Sequence, residues 1–150
     1  MQKLMFIVML SVFGLCVYAQ KTGKESKKQA NVPEVVKKEF AKAFPKAVKV
    51  KWGVEKPGEY EAEFVEGKTE TSALYDAGGK WLATETAIAQ AQLPQAVKMS
   101  LTKEFAAFKI AEVELVKTAS GITYEMVAKK GKMEYELVFD ASGKLLRKNT

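Results

Sequence analysis

An internal repeat is the feature of this sequence that most constrains its fold. The segment YEAEFVEGKTETSALYDAGGKWL at residues 60–82 returns as YEMVAKKGKMEYELVFDASGKLL at residues 124–146. Ten of the 23 positions are identical at a constant offset of 64. A helical pattern that starts with a proline, Pro33 or Pro94, precedes each copy. The chain therefore contains two similar units, and each begins with a helix.

Each unit is predicted to consist of one helix followed by four short strands. In the first unit, Val36, Phe40 and Phe44 recur at the spacing of one helix face, and Pro45 ends the helix. Apolar and polar residues then alternate, as in strands with one buried face, and turn residues such as Gly67 separate the strands. The second helix face carries Val97, Leu101, Phe105 and Phe108.

The size of one unit argues that the two units fold together. A unit of about 60 residues buries only about 60% of its unfolded surface and is marginally stable alone. We therefore expect an α+β fold in which residues 32–89 and 93–150 form a single domain, residues 32–150. Its antiparallel sheet would have about eight strands, with both helices on one face. Two independent small domains are the alternative, which the short apolar connection IAQAQ disfavours.

Residues 1–19 are predicted to be a secretory signal peptide. Lys3 is followed by an apolar run, and small residues precede a cleavage point after Ala19. A retained anchor is the alternative, but the run is short for a bilayer. Cys16 follows Leu15, whereas lipoprotein processing requires Gly or Ala there. We expect a periplasmic or secreted protein whose mature chain has no integral membrane span.

Signal removal would leave a chain without cysteine or histidine, since Cys16 is the only cysteine and no histidine occurs. Disulfides, thiolate or imidazole metal sites, cysteine nucleophiles and Ser-His-Asp relays are then excluded. Glycoside hydrolysis needs two carboxylates in a cleft, one with a raised pKa, and a flat, exposed glutamate row provides neither. The chain is therefore predicted not to be an enzyme, and no cofactor is indicated.

The positive charge is concentrated near the amino terminus. The formal net charge is +6, and residues 20–31 hold four lysines against one glutamate. This basic, apolar-poor segment is predicted to be a disordered leader with weak attraction to anionic surfaces. The folded remainder has no dense basic patch with interleaved aromatics, so no nucleic-acid partner is expected.

Glutamates at alternating strand positions are predicted to point away from the helices. A surface of this kind suits a basic protein or peptide partner, and the alternative is a solvated face with cross-strand Glu–Lys pairs. Trp81, at a strand start, is a further candidate as an exposed interface anchor. The predicted glutamates are Glu61, Glu63, Glu70, Glu112, Glu114, Glu125, Glu134 and Glu136.

The sequence resembles the PepSY-like, beta-lactamase-inhibitor-like family of exported bacterial proteins over residues 32–150. The resemblance lies in VPEVVKKEFAKAFPKAVKVKWGVEKPGEYEAEFVEGK, YDAGGKWLATETAI and LPQAVK. Its specific parts are the proline-started helix, the VKW ending at Trp52, and the Asp-Ala-x-Gly-Lys turns ending at Lys80 and Lys144. Gly78 and Ser142 stand where a second acidic residue is common in the family, which argues against a calcium loop.

The resemblance implies a fold like that of the beta-lactamase inhibitor protein, whose open sheet face grips an enzyme. On this basis we expect an exported, non-enzymatic module that contacts an unidentified protein or peptide through its open sheet face, with inhibition as one possible outcome. The alternative is a structural envelope protein that its basic leader holds near anionic surfaces. The sequence specifies no oligomeric state.

Overall fold

The computed structural model describes residues 31–150, so the predicted signal peptide and nearly all of the predicted leader lie outside the described residues. The described part contains two helices, a short 3-10 turn and eight strands. In chain order the elements are α1 (Glu34–Ala43), β1 (Val48–Lys56), β2 (Glu59–Glu66), β3 (Thr69–Asp76), β4 (Trp81–Ala87), the 3-10 turn (Gln90–Gln92), α2 (Gln95–Glu104), β5 (Lys109–Thr118), β6 (Gly121–Lys130), β7 (Met133–Asp140) and β8 (Leu145–Asn149).

All eight strands form one sheet in which neighbours in sequence are neighbours in space, from β1 to β8. Every neighbouring pair is antiparallel. The two units meet where β4 pairs with β5 over Ala83–Ala87 and Glu114–Thr118. The predicted eight-stranded antiparallel sheet is therefore confirmed, and its middle is the junction between the units.

Both helices cover the same side of this sheet. Val36 and Phe40 of α1 pack with Ala73 and Tyr75, whereas Val97 and Leu101 of α2 belong to a second core cluster on β5 to β7. The register connects the two clusters along one side, through the paired positions Ala73–Thr84, Thr71–Thr86, Thr86–Leu115, Leu115–Tyr124 and Tyr124–Phe139. One face of the sheet is therefore roofed and the other is left open, as expected.

The repeated Asp-Ala-x-Gly-Lys turn links sheet and helix in each unit. In the second unit, the backbone N–H groups of Ser142 and Lys144 both donate to Asp140 Oδ1, which closes the turn. Gly143 has a φ of +81° and lies against the backbone of α2, where the Ser100 hydroxyl donates to its carbonyl at 2.6 Å. Glycine is required there because any side chain would meet the helix.

Bulges interrupt the alternation of side chains at matching places in the two units. The first strand of each unit has a register shift, around Lys49 (φ 57°) in β1 and around Glu112 (φ 52°) in β5. The last strand of each unit has another, at Leu82 and at Leu146. Because a bulge adds one residue to a strand, it reverses which side the following residues face.

Candidate binding face

The sheet side opposite the helices, here called the open face, contains a strip of small and medium apolar residues. No helix covers these residues, yet they are 0 to 6% exposed, so their neighbours on adjacent strands shield them from water. The strip runs across β3 to β7 and consists of Leu74, Ala83, Val116, Val127 and Val138.

Half-buried glutamates surround this strip. They lie in two rows that run across the strands. In the first row, Glu63, Ser72 and Glu85 are in register across β2 to β4. In the next row Glu114 of β5 lies directly opposite Glu125 of β6. Directly opposed like charges destabilise a strand pair, so this arrangement works against folding when both groups are ionised. We define the acidic patch as Glu61, Glu85, Glu114 and Glu125.

Glu85 has the most perturbed carboxyl of the acidic patch. Burial on the sheet is the largest cause of this shift, and repulsion from the carboxylates of Glu114, Glu125 and Glu61 adds to it. Together they raise the pKa of Glu85 to about 8. The Ser72 hydroxyl donates to Glu85 Oε2 at 3.4 Å, and this bond only partly offsets the rise in pKa. At neutral pH the Glu85 carboxyl is therefore mostly protonated.

The pKa values of Glu114 and Glu125, on the two strands that follow β4 in the sheet, are also raised. Burial, followed by repulsion from Glu125, Glu112 and Glu61, raises the pKa of Glu114 to about 7. Burial also raises the pKa of Glu125, although the Arg147 guanidinium opposes this rise. The Arg147 side chain approaches Glu125 Oε2 at 3.4 Å across β7, and only 15% of the glutamate side chain is exposed. The patch therefore titrates as coupled carboxyls.

Three of the predicted glutamates lie at the margins of the open face and are exposed. Glu70 is paired in register with Val65 at one end of the sheet. Glu112 sits in the β5 bulge, and both it and Glu134 lie 3.5 Å from Lys129 Nζ. These residues form ordinary surface ion pairs or solvated positions. Glu136, by contrast, is half-buried beside Val127 and accepts a hydrogen bond from Asn149.

Two expectations for this face need correction. The predicted glutamates are not a uniformly exposed row, because five of the eight are half-buried, as is Glu85. Trp81 is exposed, as predicted, but it does not lie on the open face: it is paired with Tyr75, on the helix side, and its indole N–H donates to Thr84 at 2.8 Å. The physical reason is the bulge at Leu82. Because of this extra residue, Trp81 lies on the helix side of the sheet, whereas Ala83 and Glu85 lie on the open face.

Sequence reasoning also missed Glu85, Ser72 and Arg147. The alternation of TETAI carried the signal for Glu85, but its facing could be assigned only with the register of β4 against β3. Arg147 follows the matching bulge in β8, so its side could not be read from the simple period either. No sequence pattern marks Ser72 as the partner of Glu85.

Among residues 31–150, no cluster of three or more acidic side chains has an arrangement that could hold a metal ion. Over the same residues, neither helix is long and apolar enough to span a membrane. A shallow groove between α2 and the start of β5, lined by Leu101, Phe105 and Ile110, lies on the helix side, away from the acidic patch.

Comparison with solved structures shows the same fold in proteins from Bacteroides species. A "putative periplasmic" protein from Bacteroides eggerthii superposes with a TM-score of 0.76 at 22% identity, over 80% of this chain and 89% of that one. A "BLIP-like" protein from Bacteroides fragilis gives a TM-score of 0.71 at 22% identity, over 84% and 91%. No curated protein matches the sequence.

At the level of sequence, the profile described as "Putative beta-lactamase-inhibitor-like, PepSY-like" matches residues 58–147. This match covers more than half of the chain. It begins at the turn before β2 and ends within β8, so it includes β2 to β7, part of β8 and the whole of α2. The chain therefore belongs to the PepSY-like, beta-lactamase-inhibitor-like family.

Proposed function

We propose that this chain is an exported, non-enzymatic binding module that contacts a protein or peptide through its open face. The observation that carries the proposal is the composition of that face. Buried apolar residues such as Val116 and Val127 lie among half-buried carboxyls, and neither helix covers them. The apolar residues form the floor of this face with at most 6% of their surface exposed, and the half-buried polar groups around them can contact and orient a partner.

Two further observations support the proposal. The sequence begins with a predicted signal peptide, residues 1–19, and a structural neighbour is described as a periplasmic protein. Another neighbour is described as BLIP-like, and inhibition of an enzyme is one form that binding through an open sheet would take. These observations support a periplasmic or secreted location for the mature protein, and we propose a protein or peptide as its partner.

Site-specific photo-crosslinking tests this proposal directly. A crosslinking residue at Thr123, which lies on the open face between Val116 and Asp140 in register, should give a discrete adduct in envelope extract. The same residue at Lys38, on the exposed side of α1, is the matched control and should give none. Equal labelling from both positions, or labelling from Lys38 alone, would show that the open face is not the binding surface.

A charge variant gives the second arm of the experiment. Glu125→Lys places a positive charge in the middle of the open face, whereas Glu34→Lys places one on exposed α1. The adduct from Thr123 should disappear in the first variant and persist in the second, provided that circular dichroism shows both to be folded. Persistence in both variants would contradict a role for this face.

A further inference from the structure

We propose that the partner presents an extended segment with lysine or arginine side chains, and that these cations seat among Glu85, Glu114 and Glu125. This inference rests on the proposed function and specifies the chemistry of the partner. It concerns the middle of the open face, where β4, β5 and β6 lie side by side at the junction of the two units.

Charge complementarity is the first argument. The acidic patch brings four carboxyls from four strands, β2, β4, β5 and β6, into one electrostatically coupled group. Glu125 has a cation of its own, because Arg147 reaches it at 3.4 Å from the far side of β7. Lys129 is engaged with Glu112 and Glu134 at the margin. A cation from a partner would meet Glu85 and Glu114, two neighbouring carboxyls that repel each other when both are ionised, and would relieve that repulsion.

Spacing is the second argument, and it favours an extended segment over a compact cation. Glu85 and Glu114 are diagonal neighbours, since Ala87 faces Glu114 while Glu85 faces Val116. Diagonal positions on neighbouring strands are about 7–8 Å apart. Alternate side chains of an extended peptide are about 6.6 Å apart, given a rise of about 3.3 Å per residue. Two alternate basic residues can therefore address two carboxyls of the patch together.

The apolar strip supplies the third argument. Val116, Val127 and Val138 lie between and beside the carboxyls, and Lys and Arg carry apolar stems below their charged ends. A basic side chain laid across the strip would rest its apolar stem on this floor, of which little is exposed, while its head group reaches a carboxylate. An acidic or uncharged polar segment has no comparable complement on this face.

Ionisation of the patch would be coupled to this binding. At pH 7 the raised pKa values leave Glu85 mostly protonated and Glu114 about half protonated. A neighbouring cation favours the ionised carboxylate, so binding should release protons to solvent. The charged groups on the same side as Glu85 come from four nearby strands: Glu61 and Glu63 from β2, Glu70 from β3, Glu114 from β5 and Glu125 from β6. Arg147 of β8 acts on this group through Glu125.

The test uses a defined probe and the full mature chain. The blocked peptide TKVKT carries two lysines at alternate positions, and TQVQT is its uncharged match. Calorimetry at physiological salt should show one site for TKVKT and binding at least about 10-fold weaker for TQVQT, since one charge-assisted contact contributes about that factor. Affinity for TKVKT should rise about 10-fold or more from pH 6 to pH 9, because lysine stays protonated while the patch ionises.

Variants assign the site. Glu85→Gln combined with Glu114→Gln should weaken TKVKT binding by about 10-fold or more and abolish proton release measured in two buffers of different ionisation enthalpy. Glu134→Gln, which removes the same charge at the sheet margin, should change affinity less than about 2-fold. Equal losses in both variants would mean diffuse attraction and would overturn the assignment.

Three further outcomes separate the explanations. Equal affinity for TKVKT and TQVQT, with crosslinking from Thr123 intact, would overturn the cationic partner and leave the proposed function standing. Loss of crosslinking at Thr123 would overturn both. If affinity increases when Lys21, Lys24, Lys27 and Lys28 are all replaced by glutamine, the chain's own leader occupies the face, and the assignment to a separate partner is wrong.

Discussion

Replacement of Glu85 by glutamine should stabilise the fold at alkaline pH and leave it nearly unchanged at acid pH. Burial and the neighbouring carboxylates raise the pKa of Glu85 from 4.5 to about 8 on folding. Such a group favours the folded state fully below its unfolded pKa, and this advantage is lost as pH rises through the folded pKa. Wild-type stability should therefore fall between about pH 5 and pH 9, and Glu85→Gln should remove much of that fall.

The pKa of Glu85 sets the size of the effect. Moving a carboxyl pKa from 4.5 to about 8 corresponds to about 5 kcal/mol, at about 1.4 kcal/mol per pH unit. Glu114, whose pKa rises to about 7, shares the same mutual repulsion, so the two contributions do not add. Because Glu85 is only half-buried, solvent screens part of this effect, and we expect Glu85→Gln to gain about 2–3 kcal/mol at pH 9.

Urea unfolding at pH 5, 7 and 9, followed by the fluorescence of Trp52 and Trp81, measures this quantity. Glu134→Gln is the matched control, because it removes an equal charge from an exposed position and should leave the pH profile parallel to wild type. A wild-type stability that is flat or rises between pH 5 and pH 9 would refute the reasoning. So would a Glu85→Gln profile as steep as that of wild type.

The structure predicts three further effects on stability. Gly143→Ala should destabilise by about 3 kcal/mol, because its Cβ would lie 2.5 Å from the Ala96 carbonyl oxygen at a φ of +81°. Tyr75→Phe should stabilise by about 1 kcal/mol in thermal or urea unfolding, since the buried Tyr75 hydroxyl has no hydrogen-bond partner among the described residues. Arg147→Gln should cost about 1 kcal/mol at pH 8 and less at pH 5, because Glu125 loses its guanidinium neighbour.

Controls exist within the same repeat. Gly131 also has a positive φ, but a Cβ there meets no atom within 4 Å, so Gly131→Ala should cost only about 1 kcal/mol. Equal losses at Gly131 and Gly143 would contradict the close helix contact. Phe139 occupies the second unit's position for Tyr75, which shows that a ring without a hydroxyl fits this site. If Arg147→Gln lowers the free energy of unfolding more at pH 5 than at pH 8, its pairing with ionised Glu125 is contradicted.

The sequence was sufficient to predict most of the architecture, because the repeat and the helix pattern are local signals. The face formed by Val36 and Phe40, and the turn residues that separate the strands, predicted the elements and their order. The joining of the units followed from size and linker composition rather than from a motif. The bulges at Lys49 and Glu112 could not be predicted, since a non-glycine residue with positive φ leaves no mark in alternation.

The open face was only partly predictable for the same reason. Alternation placed Glu61, Glu114 and Glu125 on one side, because no bulge separates each glutamate from the adjacent apolar residue that faces the helices. It failed at Trp81 and gave no assignment for Glu85, which lie on either side of the β4 bulge. The raised pKa of Glu85 depends on burial by neighbouring strands and on carboxyls that are distant in sequence, so no local pattern contains it.

The two units share the turn residues that build the fold, but they differ in the acidic residues on the open face. Asp76 and its counterpart Asp140 close equivalent turns, whereas the residue 64 positions after Glu85 is Asn149. The acidic patch takes carboxyls from the last strand of one unit and the first two strands of the other, together with Glu61. Neither unit alone contains this patch, so cation recognition of the kind proposed here would require the β4–β5 pairing that joins them.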